Sequence, residues 1–224
     1  LFTKPWKIAR VTAIEAASGW GITGITGTVL SMTYNREIEL VFDIAAFRPH
    51  QPQSTIDLWY IAESREDDAS PKTAEKEFFL QRIRDHIRSL PQNQTSVSEV
   101  LRIVAAGWDK ARFVSSQVSR INVSFPTKVT QTSDSSVMIT SSLLLAPLET
   151  RVEVTLNLQA TTESESVAIS LAPQAHVVYG EHFNVTKMVE FIASRVGDAV
   201  CEGKGVWSDI LVELQQKLIA RGRK

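Results

Sequence analysis

Three groups of residues have the types and spacing to do chemistry. Gly19-x-Gly21-x-x-Gly24 has the spacing that sets backbone N–H groups against a pyrophosphate, and Asp43 lies at about the distance of a ribose-binding acid. That motif works only where the glycines turn a strand into a helix. Here a β-rich run follows, so they read as a hairpin or bulge. His176 and His182, with Glu181 between them, invite a metal or acid–base centre. No third ligand stands at a zinc-like spacing, so His176 reads as an exposed strand histidine and His182 as a turn residue. The serines lack a Gly-x-Ser-x-Gly elbow. Cys201, in Asp198-Ala199-Val200-Cys201, has no activating neighbour and reads as a buried, inert residue of an apolar helix. No catalytic, metal or cofactor-binding residue is therefore assigned.

Composition narrows the function classes further. Over 224 residues, 24 basic and 25 acidic side chains give a net charge of −1, which supplies no field to hold nucleic acid or an anionic membrane. A basic end at Lys217 to Lys224 is the local exception. It reads as a solvated helix end, or as a contact for an acidic partner tail. A single cysteine rules out an internal disulfide and fits a reducing cytosolic or nuclear setting. No run approaches the roughly 20 apolar residues of a membrane span. The opening Leu1-Phe2-Thr3-Lys4 leads us to expect a piece of a longer protein. Asn93, Asn122 and Asn184 begin formal glycosylation sequons and read instead as helix-boundary residues.

The elements that position these residues recur. Residues 6–62 read as strands and 74–121 as helices, then 126–180 as strands and 184–221 as helices. A repeat of this size points to two copies of one α+β module. In the first half, strands are expected at Trp6–Ile14, Thr28–Tyr34, Glu37–Phe42 and Thr55–Ala62. Gly19 to Gly27 is expected as a glycine-punctuated turn and Asn35-Arg36 as a hairpin tip. Glu63 to Thr73 is charged and reads as a solvated loop. Ser70-Pro71 marks a helix start, and Phe78, Phe79, Ile83, Ile87 and Leu90 fall at helical spacing before Pro91 stops the run. Ser96 and Glu99 have capping-box spacing for a second helix that runs to about Ile121 through Val104, Trp108, Ala111, Val114 and Val118.

The second half repeats the pattern. Strands are expected at Pro126–Val129, Ser136–Leu145, Thr150–Leu158, Val167–Leu171 and Ala175–Tyr179, with polar turns at Gln131–Ser136 and Thr161–Ser166. Val152, Val154, Leu156 and Leu158 share one face, and Gly180 ends the sheet. Asn184 caps a helix carrying Met188, Ile192 and Val196, and Trp207, Leu211, Leu214 and Leu218 mark the last helix. The modules are expected as residues 1–122, including the connecting helix, and 123–224.

Taken together, several segments resemble one family. Gly19-Trp20-x-Ile22, Leu30-Ser31-Met32-x-Tyr34-Asn35-x-Glu37-Ile38-x-Leu40-x-Phe42-Asp43, Phe78-Phe79-Leu80-Gln81, Gly107-Trp108 and Val178-Tyr179-Gly180-Glu181-x-Phe183-Asn184 are similar to the C-terminal region of the outer-kinetochore scaffold Blinkin in its fungal form. The Tyr-Pro-x-x-x-Pro signature common in other RWD proteins is absent. The resemblance implies two tandem RWD modules, each an antiparallel meander packed on helices, joined by a long helix. It also implies a nuclear, non-enzymatic kinetochore module that docks the scaffold onto the MIND complex through the tail of one subunit, as a monomer without cofactor, nucleic acid or membrane. Tyr179, Phe183 and Trp207 are the expected partner-binding residues, near the second sheet and the seam of the two modules. A nucleic-acid-binding domain is the poorer rival, given the balanced charge, and the first rival is a ubiquitin-conjugation-related domain. It requires an accessible thiol on a structured loop, against the helical placement of Cys201.

Overall fold

The computed structural model describes residues 18–47, 56–61, 72–91, 94–163, 166–202 and 206–222. The chain divides into two compact units, residues 1–72 with 83–105 and residues 73–82 with 106–224. The expected strand at Trp6–Ile14, most of the loop at Glu63–Thr73, the helix start at Ser70-Pro71, and Asn93 lie outside the described residues.

In the first unit four antiparallel strands lie side by side in chain order: β1 Trp20–Thr26, β2 Val29–Tyr34, β3 Ile38–Asp43 and β4 Asp57–Tyr60. Asn35 and Arg36 both take left-handed φ values, 50° and 58°, and the Glu37 N–H donates to the Tyr34 carbonyl at 3.0 Å. Two successive left-handed residues match the twist of the flanking strands, which is why an Asn-led tip closes this hairpin. Ile38, Leu40 and Phe42 are buried while Glu39 and Val41 are half-buried, so the alternation of β3 sets one face against the core.

Two helices follow, α1 Ala74–Ser89 and α2 Val97–Ser124. The Ser96 hydroxyl accepts the Glu99 N–H at 3.2 Å, capping α2 as its spacing predicts. Within the first unit Ile83, Ile87, Val100, Ile103 and Val104 are buried. Arginines of α1 close the outer edge of the sheet. Arg84 donates through Nε and Nη2 to the Leu58 carbonyl at 3.0 and 2.6 Å, and Arg88 reaches Asp57 at 2.7 Å and the Ile56 carbonyl at 3.3 Å. Carbonyls that β4 turns away from β3 are thereby satisfied by guanidinium forks.

The second unit holds β5 Thr127–Ser133, β6 Ser136–Leu145, β7 Thr150–Glu163 and β8 Ser166–Tyr179, again antiparallel and in chain order. Two helices close it, α3 Val185–Glu202 and α4 Trp207–Gly222. Val152, Val154, Leu156 and Leu158 of β7 are buried beside Val137, Ile139 and Leu143 of β6. From the helices, Met188, Ile192, Leu211, Leu214 and Leu218 complete this core. Trp108, Ala111, Val114, Val118 and Ile121 are buried along α2, which runs without a break through Gly107. The module boundary expected at residue 122 falls within α2, and residues of α2 belong to both compact units.

Four expectations are corrected. The Gly19–Gly27 run is not a turn: residues 20–26 form β1, with a bulge between Ile22 and Gly24 where it pairs with β2. Glycine favours turns by its conformational freedom, yet Gly21 and Gly24 lie opposite the small side chains of Thr33 and Ser31 within a paired strand. The polar turn at Gln131–Ser136 shrinks to Asp134-Ser135, because β5 continues to Ser133 and the hydroxyls of Thr132 and Ser133 each pair with Ser136 at 2.7 Å. The two short strands at Val167–Leu171 and Ala175–Tyr179 are one, β8, continuous through Pro173, which stands in register with Leu156. An edge strand tolerates a proline because one side of its ladder is open. Of the turn at Thr161–Ser166, residues 161–163 belong to β7 and Ser166 to β8, and residues 164–165 lie outside the described residues.

His86 of α1 is buried in the first unit, its Nε2 without a hydrogen-bond partner, and burial pushes the imidazole below its ordinary value of 6.5. The unfolded chain therefore binds a proton more readily than the folded one, so stability present above about pH 6.5 falls as the pH drops through the folded value. We expect the urea midpoint to fall between about pH 7 and pH 5.5, and His86→Gln to flatten that dependence. An unchanged slope in the variant would assign the acid sensitivity to other groups.

Candidate partner-binding surface

Of the glycines that mimic a phosphate loop, Gly19 stands just before β1 and Gly21 and Gly24 lie in it; β1 leads through a turn into β2, so no helix N-terminus follows them. His176 is exposed on β8, opposite Glu153 of β7, and His182 is exposed beyond the strand end. Among the described residues no group of three or more His, Cys, Asp or Glu could hold a metal ion. Cys201 falls in α3, and the reading of its side chain lies outside the described residues. Asn122 and Asn184 are helix-end residues: the Asn122 side-chain oxygen accepts the Thr127 N–H at 3.1 Å, and that of Asn184 accepts the Lys187 N–H at 3.0 Å.

The three expected partner-binding residues occupy different environments. Tyr179, the last residue of β8, is 51% exposed. Phe183 is half-buried between β8 and α3. Trp207 is 1% exposed, with its ring edge-on to Phe113 at 6.0 Å and its backbone N–H given to Gln117 at 2.9 Å. Its side chain offers no surface to a partner here. An aromatic at a helix start carries the same letter whether it faces solvent or core, and only the facing residues of α2 decide which.

Tyr179 and Phe183 are held by a tight corner. Gly180 has φ +96°, and a Cβ there would overlap Thr150. Buried Thr150 donates its hydroxyl to the Leu148 carbonyl at 2.8 Å and accepts the Glu181 N–H at 2.8 Å. One hydroxyl thus ties the β6–β7 corner to the β8–α3 corner, and only glycine lets the chain pass that close. Beyond the corner, β8 forms the edge of its sheet. Lys110 of α2 donates to the Val167 carbonyl near the start of this strand. The rest of β8 carries no Lys, Arg, Asp or Glu, the usual means of blunting an edge. Residues Gln174–Tyr179 run past Pro173 into the Tyr179 corner.

A second feature lies between the helices. The N-terminal part of α3 and the C-terminal part of α4 enclose a groove of about 360 Å³ with an apolar floor that includes Met188, Phe191, Leu214 and Leu218. Lys187, Lys217 and Arg221 line its rim. Lys217 is set in place twice, with Nζ 2.8 Å from Glu213 and 4.2 Å from the Phe191 ring centre. The hydrogen bond from Lys217, aided by the charge of Arg195 at 3.7 Å, holds the Glu213 carboxyl below its ordinary value. Sequence reading reached the basic end at Lys217 to Lys224 but not the groove, because Lys187 lies on another helix, far from the other two cations in the chain. The signal was the spacing of Leu214, Lys217, Leu218 and Arg221, which places a basic row beside an apolar one on a single helix.

Residues 6–115 match the family described as the Knl1 RWD C-terminal domain. No curated protein and no solved structure matches the chain. Two antiparallel four-stranded sheets, each packed with helices and linked by the long α2, agree with two tandem RWD-like modules. Modules of this family are non-catalytic and mediate protein interactions.

The corner generates a test. Gly180→Ala should cost about 2 kcal/mol or more in urea unfolding, since it adds both backbone strain and overlap with Thr150. Thr150→Val, which keeps the shape and removes the hydroxyl, should cost about 1–3 kcal/mol by leaving the Glu181 N–H unpaired. Near-neutral values for both would show that the corner does not constrain the strand end.

Proposed function

Because residues 6–115 form a Knl1 RWD C-terminal domain, an RWD-family scaffold domain of the kinetochore, we propose that this protein docks its scaffold onto the MIND complex by capturing the tail of one subunit. In this reading the chain acts in the nucleus at the kinetochore as a monomeric, non-enzymatic module, with residues 1–122 and 123–224 as its two working parts. Docking of this kind needs no bond chemistry. An extended peptide adds to a sheet edge, backbone hydrogen bonds give affinity, and a few side chains give specificity.

The observation that supports it most is the uncharged outer edge of β8, which ends beside exposed Tyr179 and half-buried Phe183. By contrast, the outer edge of β4 in the first unit is occupied by Arg84 and Arg88. Tyrosine at the end of such an edge offers a large, stiff contact at low entropic cost, the kind of side chain that dominates binding energy at interfaces.

The test is a calorimetric titration of the protein with purified MIND complex, intact and with each subunit tail deleted in turn. Deleting one tail should abolish binding. Tyr179→Ala with Phe183→Ala should weaken it by about 2 kcal/mol, about thirtyfold in Kd, with the circular dichroism spectrum unchanged. Full affinity in the double variant, or binding that survives loss of every tail, would contradict the proposal.

A further inference from the structure

The strand ladder fixes which backbone groups the outer edge of β8 presents. The Ala160 N–H donates to the Ser135 carbonyl at 3.0 Å, so in β7 the even-numbered residues exchange hydrogen bonds with β6. The odd-numbered residues of β7 therefore bond to β8, where Thr155 faces Gln174 and Glu153 faces His176. It follows that the even-numbered residues of β8 bond inward, while Ile169, Leu171, Pro173, Ala175 and Val177 turn their backbone groups away from the sheet. Two observations agree. Lys110 reaches the carbonyl of Val167, which has the same parity, and Pro173, with no N–H to give, stands where β7 requires none.

The same five residues form an apolar row. Opposite residues of neighbouring strands share a face, so Leu171, Pro173, Ala175 and Val177 lie on the side of Leu158, Leu156, Val154 and Val152. That row is buried in β7 but only half-buried in β8, the last strand of the sheet. On the opposite face Ser170, Ala172, Gln174 and His176 are exposed or nearly bare of apolar bulk. Among the described residues no hydrogen bond reaches the outward groups from Ile169 to Val177. The stretch has two ends. Lys110 occupies the ladder at Val167, and the register shift after Val177 turns Tyr179 to the face of Arg151.

We propose that the segment captured at this edge is an antiparallel strand as long as the stretch from Ile169 to Val177, with an aliphatic residue at every second position. Its aliphatic side chains extend the row of Leu171, Ala175 and Val177, and its polar ones lie beside Gln174 and His176. This assignment rests on β8 being the docking edge. In an antiparallel ladder the residues that exchange hydrogen bonds with the outward groups of β8 carry their side chains on the side of the apolar row. Backbone and side chains thus select the same alternate positions of the ligand, and a slip of one residue would set polar groups against the row. Opposite Pro173 one ligand carbonyl meets no N–H, so the ladder lacks a rung at its centre.

The test uses the whole protein and two fluorescein-labelled peptides of about nine residues, valine alternating with threonine, followed by anisotropy. One is N-methylated at its threonines, which leaves the valine N–H groups to pair, and the other at its valines. The first should bind saturably and about tenfold more tightly than the second, shifting the amide signals of residues 169–177. Ala175→Pro removes one outward N–H, as Pro173 already does, and should weaken the first peptide and MIND complex about fivefold each with the circular dichroism spectrum unchanged. Pro173→Ala supplies the missing donor and should tighten both about threefold. Peptide binding without MIND binding would contradict the docking function and support the register. Failure of the first peptide to bind, equal or tighter binding of the second, or MIND binding indifferent to both proline variants would each overturn the proposal.

Discussion

The surface assigned to partner binding depends on one buried hydroxyl. Thr150 joins the short turn before β7 to the first residue after Gly180, and it does so with no side chain between the two backbones. The direction in which β8 ends, the exposure of Tyr179, the seating of Phe183 and the start of α3 all follow from that closure. Asn184 then caps α3 within four residues of the glycine, so strand end and helix start are fixed by neighbouring hydrogen bonds. A site placed on such a corner inherits the rigidity of the sheet, which lowers the entropy lost on binding.

Much of this was legible in the sequence, for reasons specific to each residue. Strict alternation in β7 and β3 predicts their buried faces because one side of each sheet meets helices and the other does not. Ser96 and Asn184 predict helix starts because their side chains satisfy N–H groups that a helix cannot. The failures also have physical causes. Gly21 and Gly24 are poor strand residues in isolation, and it is the facing Thr33 and Ser31 of β2 that make room for the pairing. Pro173 marks a break unless the strand lies at a sheet edge, which is a property of topology. Trp207, named with Tyr179 and Phe183 as a partner-binding residue, is buried because Phe113 and Gln117, about 90 positions earlier, meet it there. The basic groove joins residues from two helices, and no local pattern spans that gap.

The surface proposed for partner binding in the second unit is the edge of β8. The β8 edge offers backbone groups with little charge and suits an extended segment. An edge of this kind accords with an RWD-family scaffold domain, in which the fold presents surfaces to partners.

Amide hydrogen exchange of the protein, alone and saturated with MIND complex, addresses the central claim most directly. The account expects slowed exchange across Gln174–Tyr179 and through the Gly180–Asn184 corner, with the first sheet unchanged. Protection confined to β1–β4, or binding without any change along β8, would contradict it.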